Sequence, residues 1–163
     1  MAATPPETAR QSTSPTRWTD QLLVAITPAG LAAARDLDLR TSMYEVLRLG
    51  TTPRTWGQAT AHLATLYGRH EQECSRLLIV AETSGWLSIG LSRDGHPMRL
   101  ADFLQRTGLL GEARTAALAR RLPPGPKVDV PALSSQLAAV GWLGRAEAGF
   151  LARIGRQAIW HWQ

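Results

Sequence analysis

The side chains best placed for chemistry in this chain are arginines and glutamines at helical spacing. Arg69, Gln72, Ser75 and Arg76 lie close together in sequence. At about 100° per residue they share one side of a helix with Ile79 and Thr83. Arg and Gln are the side chains that pair with guanine and adenine edges in a DNA major groove. Downstream, Arg93, His96 and Arg99 surround a Ser92-Arg93-Asp94-Gly95 turn, where they are suited to holding phosphates. The expected partner of such a set is double-stranded DNA. The local charge opposes it: residues 69–83 hold Arg69 and Arg76 against Glu71, Glu73 and Glu82, a net −1, and Ile79 on the outward side suits a protein contact better.

Catalytic chemistry finds less support. His62, His70, His96 and His161 have no metal-ligand spacing, so no metal is expected. Glu71 and Glu73 beside His70 read as a solvated helix start, where acidic groups suit the helix dipole. No nucleophile elbow, P-loop or dinucleotide-binding turn is present, so no cofactor is expected. The single cysteine, Cys74, sits in an apolar stripe and reads as core. It cannot form an intrachain disulfide.

The elements that must position these residues lie at 63–87. Leu63, Leu66 and Tyr67 give one helix an apolar face, and Gly68 can supply the left-handed residue that stops it. Cys74, Leu77, Leu78 and Ala81 form an i, i+3, i+4, i+7 stripe on a second helix, ended by Gly85. An extended run at 88–91, the turn at 92–95 and a second run at 97–100 read as a hairpin. Helix, turn, helix and hairpin predict a mainly α fold: a winged helix-turn-helix with a two-stranded wing and further C-terminal helices.

Upstream, residues 1–16 are rich in Pro, Ser, Thr and Ala and read as a flexible arm. The domain is expected over 17–122. Leu22–Ile26 reads as a short strand or a helical turn. Thr27-Pro28 starts a helix whose inner face would be Leu31, Ala34 and Leu37. Ser42–Glu45 and Thr55–Gln58 each spell a capping box. Residues 123–127 form a Pro-rich linker, and 128–163 a helical segment, with helices over 131–140 and 145–162. On the last of these, Leu151, Ile154, Trp160 and Trp162 form an aromatic-anchored face expected to meet a second copy or another partner. Gly141-Trp142-Leu143 repeats Gly85-Trp86-Leu87, and nothing around it repeats, so the echo reads as chance.

The chain has 163 residues and a net charge of +5, with hydrophobic residues at 44%. Of the +5, residues 101–163 hold +4 and residues 42–100 only +1, so the excess lies outside the helix-turn-helix. No apolar run reaches the length of a membrane span and no signal pattern opens the chain, so a cytoplasmic protein without membrane contact is expected.

Residues 31–100 resemble two families built on a winged helix. One is the regulators of the multiple-antibiotic-resistance (MarR) type, on the Arg93-Asp94 pair of the turn and the flanking helices. The other is the N-terminal dimerisation domain of small-molecule O-methyltransferases, on GLAAARDLDLRTSMYEVLRLG followed by RTWGQATAHL. The methyltransferase's nucleotide-binding domain has no counterpart after residue 100. A third likeness, on Thr55 to Gly68, is to winged-helix domains that bind leader peptides in peptide-natural-product pathways. These resemblances imply a dimeric, ligand-responsive DNA-binding regulator. Alternatively they imply a non-catalytic dimerisation or partner- and peptide-binding module, for which Trp56, Tyr67 and Trp86 would line a pocket. The third reading is a small enzyme on the methyltransferase-like helical scaffold.

Overall fold

The computed structural model describes residues 18–36, 39–91, 98–122 and 127–162. It is mainly helical, with a small three-stranded antiparallel sheet. A helical turn, α1 (Trp18–Gln21), runs directly into β1 (Leu22–Ile26). Next come α2 (Pro28–Ala33), α3 (Thr41–Leu49), β2 (Arg54–Thr55), α4 (Trp56–Tyr67) and α5 (Glu71–Thr83). Then follow β3 (Leu87–Leu91), β4 (Met98–Arg99), α6 (Leu100–Arg106), α7 (Glu112–Ala119), α8 (Val130–Ala139), α9 (Arg145–Gln157) and β5 (Trp160–His161).

Local chemistry sets most boundaries. Thr27 caps α2, its hydroxyl accepting from Gly30 N–H at 3.0 Å. Thr55 and Gln58 close a reciprocal capping box at the start of α4, and Gly68 ends that helix at φ 60°. The box expected at Ser42–Glu45 does not form: α3 begins at Thr41 after an uncapped Arg40, so Ser42 already lies inside the helix. Leu31 is exposed because α2 meets the sheet through Gly30, where a Cβ would stand 2.1 Å from the Trp86 carbonyl oxygen.

The sheet has the order β2-β1-β3. The apolar run 22–26 is thus its central strand, paired with β2 through Leu23↔Thr55 and with β3 from Leu22↔Leu91 to Ile26↔Leu87. The expected pairing of 88–91 with 97–100 is not what the described strands make. β3 pairs with β1, β4 pairs in parallel with β5, and Leu100 already begins α6. The intervening residues 92–97, with Arg93 and His96, lie outside the described residues.

The C-terminal helix also ends sooner than the sequence suggests. α9 stops at Gln157, Ala158 turns extended at φ −141°, and Trp160-His161 form β5. The run Ile159-Trp160-His161-Trp162 is β-branched and aromatic, which suits a strand. The segment 128–162 is no separate appendage. Val130, Leu133, Leu137, Leu143, Phe150, Leu151, Ile154 and Trp160 lie in the same buried cluster as Leu22, Leu47, Trp56 and Leu78. At its centre Trp18, Trp56, Phe103, Phe150 and Trp160 pack ring against ring, with centroids 4.8–6.4 Å apart. Gly155 lets α9 reach α8, since a Cβ there would stand 2.5 Å from Val130.

The repeated Gly-Trp-Leu has a structural cause. Gly85 at φ 78° donates to Glu82 O and Trp86 N–H to Ala81 O. Gly141 at φ 77° donates to Ala138 O and Trp142 N–H to Leu137 O. Both are the Schellman end of a helix, and each following Leu is buried. The echo is a shared helix stop, correcting the reading as chance.

Candidate functional site

α5 carries Gln72, Ser75 and Arg76 of the expected DNA-reading set, and its packing sets which of them are accessible. Cys74, Ser75, Leu78, Ile79 and Ala81 are buried, while Leu77 is only half-buried. The buried arc is rotated by about 60° from the one that the apolar stripe suggests, given about 100° per residue. Two sets of neighbours cause this. α3 and α4 pack on one side, and α6 and α9 on the other.

The expected DNA-reading residues fare accordingly. Ser75 is fully buried and its hydroxyl accepts from Trp56 Nε1 at 3.3 Å, so it cannot reach a groove. Ile79, expected outward, is buried as well. Gln72 is exposed, but its Nε2 donates to the Gln105 carbonyl at 3.0 Å and ties α5 to the end of α6. Arg76 is exposed and turned toward Glu147 of α9, N to O 3.6 Å. Arg69 stands over the Tyr67 ring at 5.8 Å, before α5 begins. Arg99 lies in β4, exposed and in register with His161. Among the described members of the set, only Gln72 and Arg76, one turn apart, share an open strip. Beside them on that strip are Glu73 and Val80, so it carries no net positive charge.

The expected pocket does not assemble. Trp56 is wholly buried in the aromatic core. Tyr67 lies at the other end of α4, about 16 Å away along the axis at 1.5 Å per residue. There its hydroxyl donates to the Thr41 carbonyl at 3.4 Å. Burial pushes the Tyr67 phenol up, with the Glu45 charge adding to it and Arg69 opposing. Trp86 stands just before β3, and its carbonyl accepts from Thr27 N–H. The expected partner-binding face of the last segment is also used internally: Leu151, Ile154 and Trp160 are buried within this chain, and Trp162 is half-buried. A buried face cannot serve a second subunit.

Two other concavities take their place, both built by α5 and α9. A cleft of about 120 Å³ opens between Ile79, Val80 and Thr83 of α5, the 107–109 turn, and Ala146 and Glu147 of α9, with Arg76 at its edge. A wider groove of about 420 Å³ lies between the last turn of α5, β3 and α9, lined by Leu87, Ser88, Ile89, Arg153, Ile154 and Gln157 among others. Arg153 crosses from α9 to Glu82 there, donating from Nε and Nη2 at 2.6 and 2.8 Å. That bidentate hydrogen bond holds the Arg153 guanidinium pKa above its usual value, against the opposing effect of burial.

Among the described residues β3 is an edge strand. Thr27 N–H donates to Trp86 O, so pair 27/86 is hydrogen-bonded, and antiparallel alternation makes 25/88 and 23/90 the same. The main-chain groups of Leu87, Ile89 and Leu91 therefore face away from β1, and they bond to no other main chain among the described residues. Sequence reasoning missed both concavities because their walls come from segments far apart in the chain, and no local spacing links them.

Among the described residues no His, Cys, Asp and Glu cluster suits a metal, and no helix is long and apolar enough to cross a membrane. Cys74 is enclosed, and burial raises its thiol pKa, with the charge of Glu73 adding to it. No family model, curated protein or solved structure matches this chain.

Proposed function

We propose that this chain is a non-catalytic binding module that holds an extended peptide or protein segment and does not read DNA. The observation that carries the proposal is the edge of β3, unpaired on its outer side among the described residues, next to a groove lined by β3 and α9. An incoming strand can pair with the outward main chain of Leu87, Ile89 and Leu91, while its side chains meet Ser88, Ile154 and Gln157. Main-chain pairing at a sheet edge supplies affinity, and the flanking side-chain positions supply selectivity. Leu87 and Ile89 are buried, main chain included, so strand pairing there requires α9, which packs on β3, to give way along the groove.

Two further features support this reading. The order α3, β2, α4, α5, β3, with β1 in the middle of the sheet, is compatible with the winged helix expected from the sequence. Within that frame, the helix that would enter a major groove is held by α9 and shows a strip without net positive charge. That disfavours the regulator reading, whose phosphate term needs clustered cations.

The test is selection from a displayed random-peptide library, followed by titration of a labelled binder. Binding should protect the Leu87, Ile89 and Leu91 amides from hydrogen exchange and should be lost in Gln157→Trp, which fills the groove from an exposed position. A binder indifferent to Gln157→Trp, or failure to enrich any peptide, would overturn the proposal.

A further inference from the structure

α9 and α5 are joined at two places of unequal quality. At one end Arg153 and Glu82 make a bidentate pair. At the other, Arg76 and Glu147 approach only to 3.6 Å, with side chains 65% and 33% exposed. A pair so loose and so wet contributes little and is easily parted. It stands at the mouth of the 120 Å³ cleft, which is lined further by the buried Ile79 and Leu109 and by the exposed Val80 and Ala146.

The two hydroxyls that line that cleft each already donate to a main-chain carbonyl. Thr83 donates to the Val80 carbonyl at 2.9 Å and Thr107 to the Phe103 carbonyl at 2.6 Å, each within its own helix. Apart from Arg76 and Glu147, the lining side chains therefore offer no unused donor. The cleft's volume is somewhat below the roughly 150 Å³ of a cavity that takes benzene, the size of a branched aliphatic group. The mouth, by contrast, offers one cation and one anion side by side.

We infer that the cleft binds a free apolar α-amino acid of about the size of leucine. The aliphatic side chain fills the space between Val80, Leu109 and Ala146. The carboxylate takes Arg76 and the ammonium takes Glu147, so the zwitterion replaces a weak ion pair with two. A fatty acid would leave Glu147 beside its carboxylate, and an aliphatic amine would leave Arg76 beside its ammonium. Charge complementarity at the mouth therefore selects the amino acid. This inference rests on a different cleft from the peptide groove; the two share only Thr83 among their lining residues.

The experiment is a two-dimensional amide NMR titration of the full chain with L-leucine, leucinamide and 4-methylpentanoate. Leucine should shift the amides of Ile79, Val80, Leu109 and Ala146, with a Kd of about 1 mM, the range open to so few atoms. Arg76→Gln and Glu147→Gln should each weaken it about tenfold, and leucinamide and 4-methylpentanoate should bind about tenfold more weakly than leucine. Val80→Trp, at an exposed position, should abolish the shifts while leaving the melting temperature unchanged. No shift up to about 20 mM leucine overturns the site. Equal binding of leucine and 4-methylpentanoate, or binding that survives Val80→Trp, overturns the assignment of the ligand.

Discussion

Arg153 of α9 grips Glu82 of α5 through two parallel hydrogen bonds, 2.6 and 2.8 Å long. Seventy-one positions separate them in the chain, so the contact ties the last helical segment to the helix at the centre of the fold. The Glu82 side chain is 11% exposed and Arg153 44%. Removing the guanidinium leaves a mostly covered carboxylate without its partner, which costs more than removing both. Arg153→Ala should destabilise by about 1–2 kcal/mol, and the double variant with Glu82→Ala by less than the two singles together. Urea denaturation of the four proteins measures this, and strict additivity would show that the pair is not coupled.

Ser75 is a second link between sequence and core. Its hydroxyl is the hydrogen-bond acceptor for the buried indole of Trp56, 3.3 Å away. Ser75→Ala leaves that N–H unsatisfied inside the aromatic cluster and should cost about 1–3 kcal/mol. A change within about 0.5 kcal/mol would mean that Ser75 is a surface residue after all.

Cys74 makes stability depend on pH. Burial and the Glu73 charge raise its thiol pKa in the fold above the ordinary value of 9.0. As pH rises past that value, the unfolded chain releases the proton and the folded chain keeps it. The contribution is therefore whole below the ordinary thiol value and is lost as pH climbs toward the folded one. Wild type should lose stability relative to Cys74→Ala between about pH 8 and pH 10. Iodoacetamide should label the native thiol at least about 100-fold more slowly than free cysteine at pH 8. Rapid labelling would place the thiol at the surface.

The legible parts of this fold were those written in local chemistry. Thr55 with Gln58, Gly68, and Thr27 before Pro28 each set an element boundary through bonds within a few residues. Ser42–Glu45 shows the limit of such signals, because a capping box needs its first residue outside the helix and Ser42 is inside. Stripe counting failed on α5 for a different reason. It assumes one buried side, and it cannot see α9 arriving from far along the chain to bury Ser75 and Ile79. The same blindness made Leu151, Ile154 and Trp160 look like a surface for another subunit when their partner is the chain's own core. The edge of β3 was hidden because β1, the strand beside it, precedes it by some sixty positions.

On the function proposed above, α5 serves as a wall of binding sites and reads no DNA. Fluorescence anisotropy tests it directly, using random and selected duplexes at two salt concentrations with wild type and Arg76→Ala. Any binding should be weak, within about threefold across sequences, steeply weakened by salt, and unchanged by Arg76→Ala. A selected duplex bound at least about 100-fold tighter than random, with a loss of about 1–3 kcal/mol on Arg76→Ala, would contradict the account.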